Sequence, residues 1–155
     1  MTVTEPIYEQ PYHARLIIGH LLADDDVTAD VGDEVGTDIS ASRLPAIRVT
    51  QFPGRPVSGS TLLWLTEHLL QLDCYWDGGS DRYNAHMLAI KAQRALMSLK
   101  GSVSYTIGGE PATGVVTGIE VMGIADTYDT AFEHPKPISR FDVMLTAHPL
   151  PGSGS

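Results

Sequence analysis

Apolar residues recur along this chain with two periods, and the periods divide it into helices and strands. Over residues 5–23 the period is helical. Leu16, Ile17, Leu21 and Leu22 share one side of a helix whose regular part begins at Tyr12, just after Pro11. A second helix is expected over residues 81–100, where Ala85, Leu88, Ala92, Ala95, Leu96 and Leu99 form one stripe. Asp81 at its start and Lys91, Arg94 and Lys100 late in it complement the helix dipole, and Gly101 can cap its end.

Four other stretches alternate, which is the strand period. Residues 44–52 set Ile47 and Val49 against Arg48 and Thr50, with Pro45 at the start. Residues 62–76 set Leu70, Leu72, Cys74 and Trp76 against Gln71, Asp73 and Tyr75. These two runs read as an antiparallel pair joined by the turn-rich residues 52–61. In residues 115–125, Thr117, Ile119 and Val121 alternate with Gly118, Glu120 and Met122. Residues 138–147 place Phe141, Val143 and Leu145 on a buried face.

The remaining segments read as connections. Residues 24–40 hold seven acids and two glycines and are expected to form a solvated loop, with one short strand around 27–31. Residues 101–114 read as a small hairpin or an insertion, residues 126–137 as a long loop, and residues 149–155 as a flexible tail. The expected class is α+β: a mostly antiparallel sheet with helices packed on one face, in the order α-β-β-α-β-β. The 155 residues fit one domain, spanning 1–155, that is large enough to form a core without disulfides or metal.

Composition narrows the function. The single cysteine, Cys74, excludes a disulfide framework and a Cys-rich zinc site. No apolar run is long enough to span a membrane, and residues 1–10 lack a secretory signal pattern, which points away from secretion. The net charge is −9, and it is unevenly placed. Residues 1–42 carry nine acids against Arg15 alone, whereas the rest is nearly balanced. No basic stripe of a nucleic-acid binder is present, and an acidic surface repels a phosphate backbone.

Catalytic patterns are missing too. There is no phosphate-binding glycine loop and no nucleophile elbow. Cys74 lies among apolar neighbours and reads as a small hydrophobe. None of the six histidines has the paired spacing of a metal site; His13 and His20 read as surface or boundary residues of the first helix. The acids Asp24, Asp25, Asp26, Asp30, Asp33 and Glu34 do not fit the calcium-loop pattern and read as a solvated face or acidic rim. No cofactor is expected. The nearest thing to an ionisable constellation is Glu67, His68 and Asp73, the basis of an alternative reading as a small α+β enzyme or ligand-binding module. Apolar and aromatic residues near turns, Leu62, Trp64, Tyr128 and Phe132, are candidates for partner contacts, together with Arg55 of the 52–63 loop.

The order of these elements resembles a known family. Pro45 to Val49 matches a "P-x-I/V-x-V" strand, and Leu70 to Trp76 an "L-x-V-D-x-W" strand. A Gly/Asp turn at 77–80 and an Ala-rich helix at 85–99 follow, then a Gly-Val strand at 114–121 and an "R-[FY]-x-V-x-L" strand at 140–145. Over residues 8–148 this pattern resembles tail terminator proteins of long-tailed bacteriophages, most like those of phages infecting actinobacteria. The long 52–65 connection, the 101–114 insertion and the acidic 24–40 segment depart from it.

The resemblance implies a virion protein of the tail or neck, made in the cytoplasm of a bacterial host, and not an enzyme. Such proteins form a ring, usually of six subunits, on the last ring of the tail tube. The ring stops polymerisation and meets the head-side connector or stopper protein. Genomic DNA passes through without specific binding, and no membrane is involved. Another head–tail connector or tail-completion protein is the nearest alternative.

Overall fold

The computed structural model describes residues 12–40, 42–56, 66–77, 82–130 and 136–148. The chain folds as helix α1 (Tyr12–Leu22), helix α2 (Asp25–Val31), strands β1 (Val35–Gly36), β2 (Ala46–Gln51), β3 (Arg55–Pro56) and β4 (Thr66–Tyr75), and helix α3 (Arg82–Leu96). Strands β5 (Gly101–Ile107), β6 (Glu110–Val121), β7 (Ala125–Asp129) and β8 (Lys136–His148) follow. The class is α+β.

The strands form one sheet in the order β1-β2-β4-β8-β6-β5, antiparallel except for the short β1–β2 pair. Strand β3 pairs with the start of β4, on the side where β2 pairs with its end, so β2 and β3 act as one strand interrupted at residues 52–54, an edge beyond Ile47 and Arg48, which β1 covers. In the same way β6 and β7 pair with opposite halves of β8, across a break at residues 122–124.

One face of the sheet carries the core. Ile47 and Val49 of β2 meet Cys74 and Leu72 of β4, and Leu72 and Leu70 meet Phe141 and Val143 of β8, all fully or nearly fully buried. Helix α3 packs its alanine-rich stripe (Ala85, Leu88, Ala89, Ala92) on β8 and β4. Alanines let the helix approach the sheet closely, while the Leu and Phe side chains fill the space. Helix α1 crosses from β2 to β5, burying Leu16, Ile17 and Leu21. Gly19 makes this crossing possible: a Cβ there would lie 2.6 Å from Tyr105 side-chain atoms.

Several sequence expectations change. Residues 27–31 are helical, not a strand: the Asp24 carboxylate accepts a 3.0 Å bond from the Val27 amide and caps α2. Val27 and Val31, four residues apart, are the buried face of that helix. Of the two readings of residues 101–114, the hairpin is the one found: 101–107 pair with 110–116 around Gly108 and Gly109, both with positive φ. The expected loop 126–137 contains strand β7. Register also shifts between Val116 and Gly118. The inward side therefore passes from Ala112, Gly114 and Val116 to Ile119 and Val121, leaving Thr117 exposed rather than in line with Ile119. The order α-β-β-α-β-β thus gains α2 and the strands β1, β3, β5 and β7. Expectations for residues 5–11, 57–65, 78–81, 131–135 and 149–155 lie outside the described residues.

Candidate functional site

Strand β4 carries Glu67, His68 and Asp73, and its pleat divides them. His68 points to the helix side, whereas Glu67 and Asp73 belong to the opposite, helix-free face. Glu67 and Asp73 are six positions apart, about 20 Å along a strand. The three residues read as a possible catalytic constellation do not converge.

At the Asp73 end, register places Arg48, Asp73 and Arg140 side by side across three strands. Asp73 is fully buried between two partly exposed arginines. Arg48 donates to Oδ2 at 2.7 Å and Arg140 to Oδ1 at 2.5 Å. Burial works against the Arg48 charge, but the Asp73 carboxylate and the Tyr75 and Asp129 groups outweigh it and raise its pKa. Arg140 is raised chiefly by its bond to Asp73. The Tyr75 hydroxyl, pushed up by burial and by its 3.0 Å bond to Asp129, stays protonated. A charged, fully partnered cluster of this kind orders strands; it presents no free nucleophile or base.

At the other end of β4, the rings of His13 and His68 lie 4.3 Å apart, tilted at 52°. His13 is buried, where a surface or boundary position was expected. Its Nε2 donates to the Thr66 carbonyl at 3.0 Å. Burial, assisted by the neighbouring His68, lowers its pKa to about 4, so the ring is neutral near pH 7. His68 Nδ1 lies 3.0 Å from the Phe52 carbonyl oxygen and 3.1 Å from the Gln51 amide nitrogen, while Gln51 Oε1 accepts from the Ala14 amide at 2.9 Å. This cluster ties the start of α1 to the interrupted edge strand. His20 sits at the boundary as expected: its Nε2 donates to the Ala95 carbonyl at 2.8 Å and its Nδ1 accepts from the Tyr105 hydroxyl.

A third group unites serine, aspartate and histidine, but in the wrong order for nucleophilic catalysis. Buried Ser139 donates to Asp126 at 2.5 Å, and His86 Nδ1 lies 3.0 Å from both oxygens of the same carboxylate. The hydroxyl is bonded to the carboxylate and the histidine does not reach it, so the imidazole cannot serve as its general base. Burial alone raises the Asp126 pKa; the Ser139 and His86 bonds and the charges of His86 and Arg82 more than reverse this and hold it below the usual carboxylate value. Cys74 is fully buried, and burial followed by the Asp73 charge raises its thiol well above the ordinary value, which leaves it unreactive.

The acidic segment splits in two. Asp24 caps α2, Asp30 receives Lys91 at 2.8 Å and Glu34 receives Arg43 at 3.0 Å. Asp25, Asp26 and Asp33 remain exposed on the helix layer. Among the described residues no group of three or more His, Cys, Asp or Glu is placed to hold a metal ion, and no helix is long and apolar enough to cross a membrane. Of the expected contact residues, Tyr128 is 36% exposed on β7, with the Arg82 guanidinium 5.5 Å from its ring centre. The backbone of Arg55 forms β3. Leu62, Trp64 and Phe132 lie outside the described residues. Sequence reasoning missed the Arg48–Asp73–Arg140 and His13–His68 clusters, because both depend on strand and helix pairing between distant residues.

No family model matches the chain, and no curated protein matches it. Among solved structures, it is similar to a chain of the "Virion of native gene transfer agent (GTA) particle". That match has a TM-score of 0.55 and 13% sequence identity, and covers 94% of this chain and 99% of the other. At this identity the likeness establishes a common fold, and it does so over nearly the whole of both chains.

Proposed function

We propose that this chain is a structural virion protein of the tail-terminator type. Its subunits form a ring at the neck, end growth of the tail tube and give the head-side connector a surface to bind. The observation that carries this reading is the end-to-end fold likeness to a chain of a virion particle, with neither chain left with a large unmatched domain. The order of strands and helices in the sequence supports it independently.

The chemistry of the described surface supports the same reading. The polar clusters join structural elements to each other and leave no convergent group with a free proton acceptor. Exposed acids on the helix layer suit a conduit through which DNA must pass without sticking, because each phosphate contact avoided lowers sequence-independent affinity. In this mechanism one face of the ring copies the contacts of a tube subunit and the opposite face lacks them, so the next tube ring cannot add.

Location tests this reading. An affinity tag on the chain, labelled with gold on purified particles, is expected to mark the head–tail junction with a small, fixed number of copies. Label along the tube, on the head shell or absent from particles would reject it.

A further inference from the structure

Helix α3 has a second apolar stripe, opposite the one that faces the core. Tyr83, Met87, Ile90 and Met97 are spaced by four, three and seven residues and fall on one side of the helix. The helical bond pattern extends to Met97, whose amide donates to the Gln93 carbonyl at 3.1 Å. Tyr83 is 70% and Met97 72% exposed, two of only four large apolar residues exposed among those described. The polar residues on either flank are drawn into the chain's own fold: Lys91 to Asp30, His86 to Asp126, and Gln93 to the Met122 carbonyl at 2.7 Å. The ridge itself carries one charge, the exposed Arg94, with Lys100 beyond its end.

The helix-free sheet face offers a counterpart. Where β2 and β3 are interrupted, Pro53, Gly54, Leu69 and Met144 line a shallow depression of about 160 Å³. Phe52 beside it is 38% exposed. At the notch Gly54 has no room for a side chain: a Cβ there would lie 2.4 Å from the ring of His68, which points to the helix side, and 2.5 Å from the Glu67 carbonyl oxygen. The rim is acidic. Glu67 lines the notch, Glu120 pairs across from Met144, and Asp142 is two residues before Met144 on the same face.

We infer that the α3 ridge docks on this sheet patch of a second copy of the same chain, head to tail around the ring. Charge selects the occupant. Ridge on ridge would oppose Arg94 to Arg94, and patch on patch would oppose acid to acid, whereas ridge on patch joins basic to acidic around an apolar centre. The two surfaces belong to opposite layers of the subunit, which is what a heterologous contact needs to propagate into a ring. The inference rests on the proposed ring-forming role.

The test uses particles made in cells that supply a variant chain in place of the wild type. Met97→Cys combined with Glu120→Cys places one thiol on each exposed surface, and the native Cys74 is fully buried. A short bismaleimide is expected to join the double variant into multimers beyond the dimer, and to leave Met97→Cys alone uncoupled. Dimers from Met97→Cys alone would mean ridge-on-ridge packing and would overturn the inference. Particles that contain the double variant, keep normal tails and fail to couple would overturn it too while leaving the terminator role intact. Particles lacking the chain would reject that role and this contact with it. Arg94→Glu or Glu120→Arg singly is expected to lower incorporation about tenfold, and the pair to restore it, the value of about 1.4 kcal/mol for one close charge pair. Failure of the pair to restore incorporation would count against ridge-to-patch docking.

Discussion

The two ends of β4 solve the same problem with opposite chemistry. At Asp73 a buried carboxylate is held by two arginines whose outer parts reach water. At His68 two imidazoles, an amide and backbone carbonyls interlock without a carboxylate or a guanidinium. The first cluster bridges three neighbouring strands within the sheet. The second joins α1 to the sheet across the gap of an interrupted edge. The difference teaches where the molecule is sensitive to its surroundings. The arginines stay charged at any ordinary pH, so the Asp73 cluster keeps its cations, whereas the histidine cluster depends on His13 remaining neutral.

Acid therefore separates the two ends most strongly. His13 has an ordinary pKa of 6.5 when unfolded and about 4 when folded. Its contribution is complete above pH 6.5 and is lost as pH falls toward 4, because the unfolded chain then binds a proton that the folded chain resists. The loss is expected to approach about 3 kcal/mol. Urea unfolding between pH 7 and 4 checks it: His13→Phe should start less stable but lose less over that range. An equal slope in both proteins would place the acid sensitivity elsewhere.

Gly54→Ala attacks the same end sterically. The new methyl group cannot share space with the His68 ring and the Glu67 carbonyl, so the edge strand must move away. A loss of about 2 kcal/mol in chemical denaturation is expected. Asp73→Asn attacks the charged end. It keeps the size of the side chain but leaves two arginines unbalanced, with an expected loss of about 2 kcal/mol; both cations are partly hydrated, which holds the cost below that of a fully buried orphan charge. The loss should persist in 0.5 M salt, a condition that largely screens solvent-exposed charges more than a Debye length apart but acts far less on a buried pair. The smallest effect belongs to neither end. Asp24→Ala removes the α2 cap and should lower stability by about 1 kcal/mol, read as a fall in the thermal midpoint.

Much of the fold was legible because its periods are strong. The α3 stripe from Ala85 to Leu99 is buried at every expected position, and β2, β4 and β8 bury the expected side. Helix α2 was hidden because three successive aspartates look like a solvated loop, although the first is a cap and the next two suit a helix N-terminus. Strand β7 was hidden because most of its residues are exposed and, among the described residues, it pairs on one side only. The α3 outer ridge was present in the sequence, but Met87 and Ile90 cannot be told from core residues until the buried side is known. The polar clusters were least legible. Arg48, Asp73 and Arg140 span 92 positions, and only strand register brings them together.

The measurement that tests the central claim most directly is electron microscopy of particles produced without this gene. Overlong tail tubes separated from DNA-filled heads are the expected result, because loss of the stop leaves tube growth uncontrolled. Tails of normal length lying free beside filled heads would assign the chain to another step of head–tail joining, and normal infectious particles would contradict a role in the neck altogether.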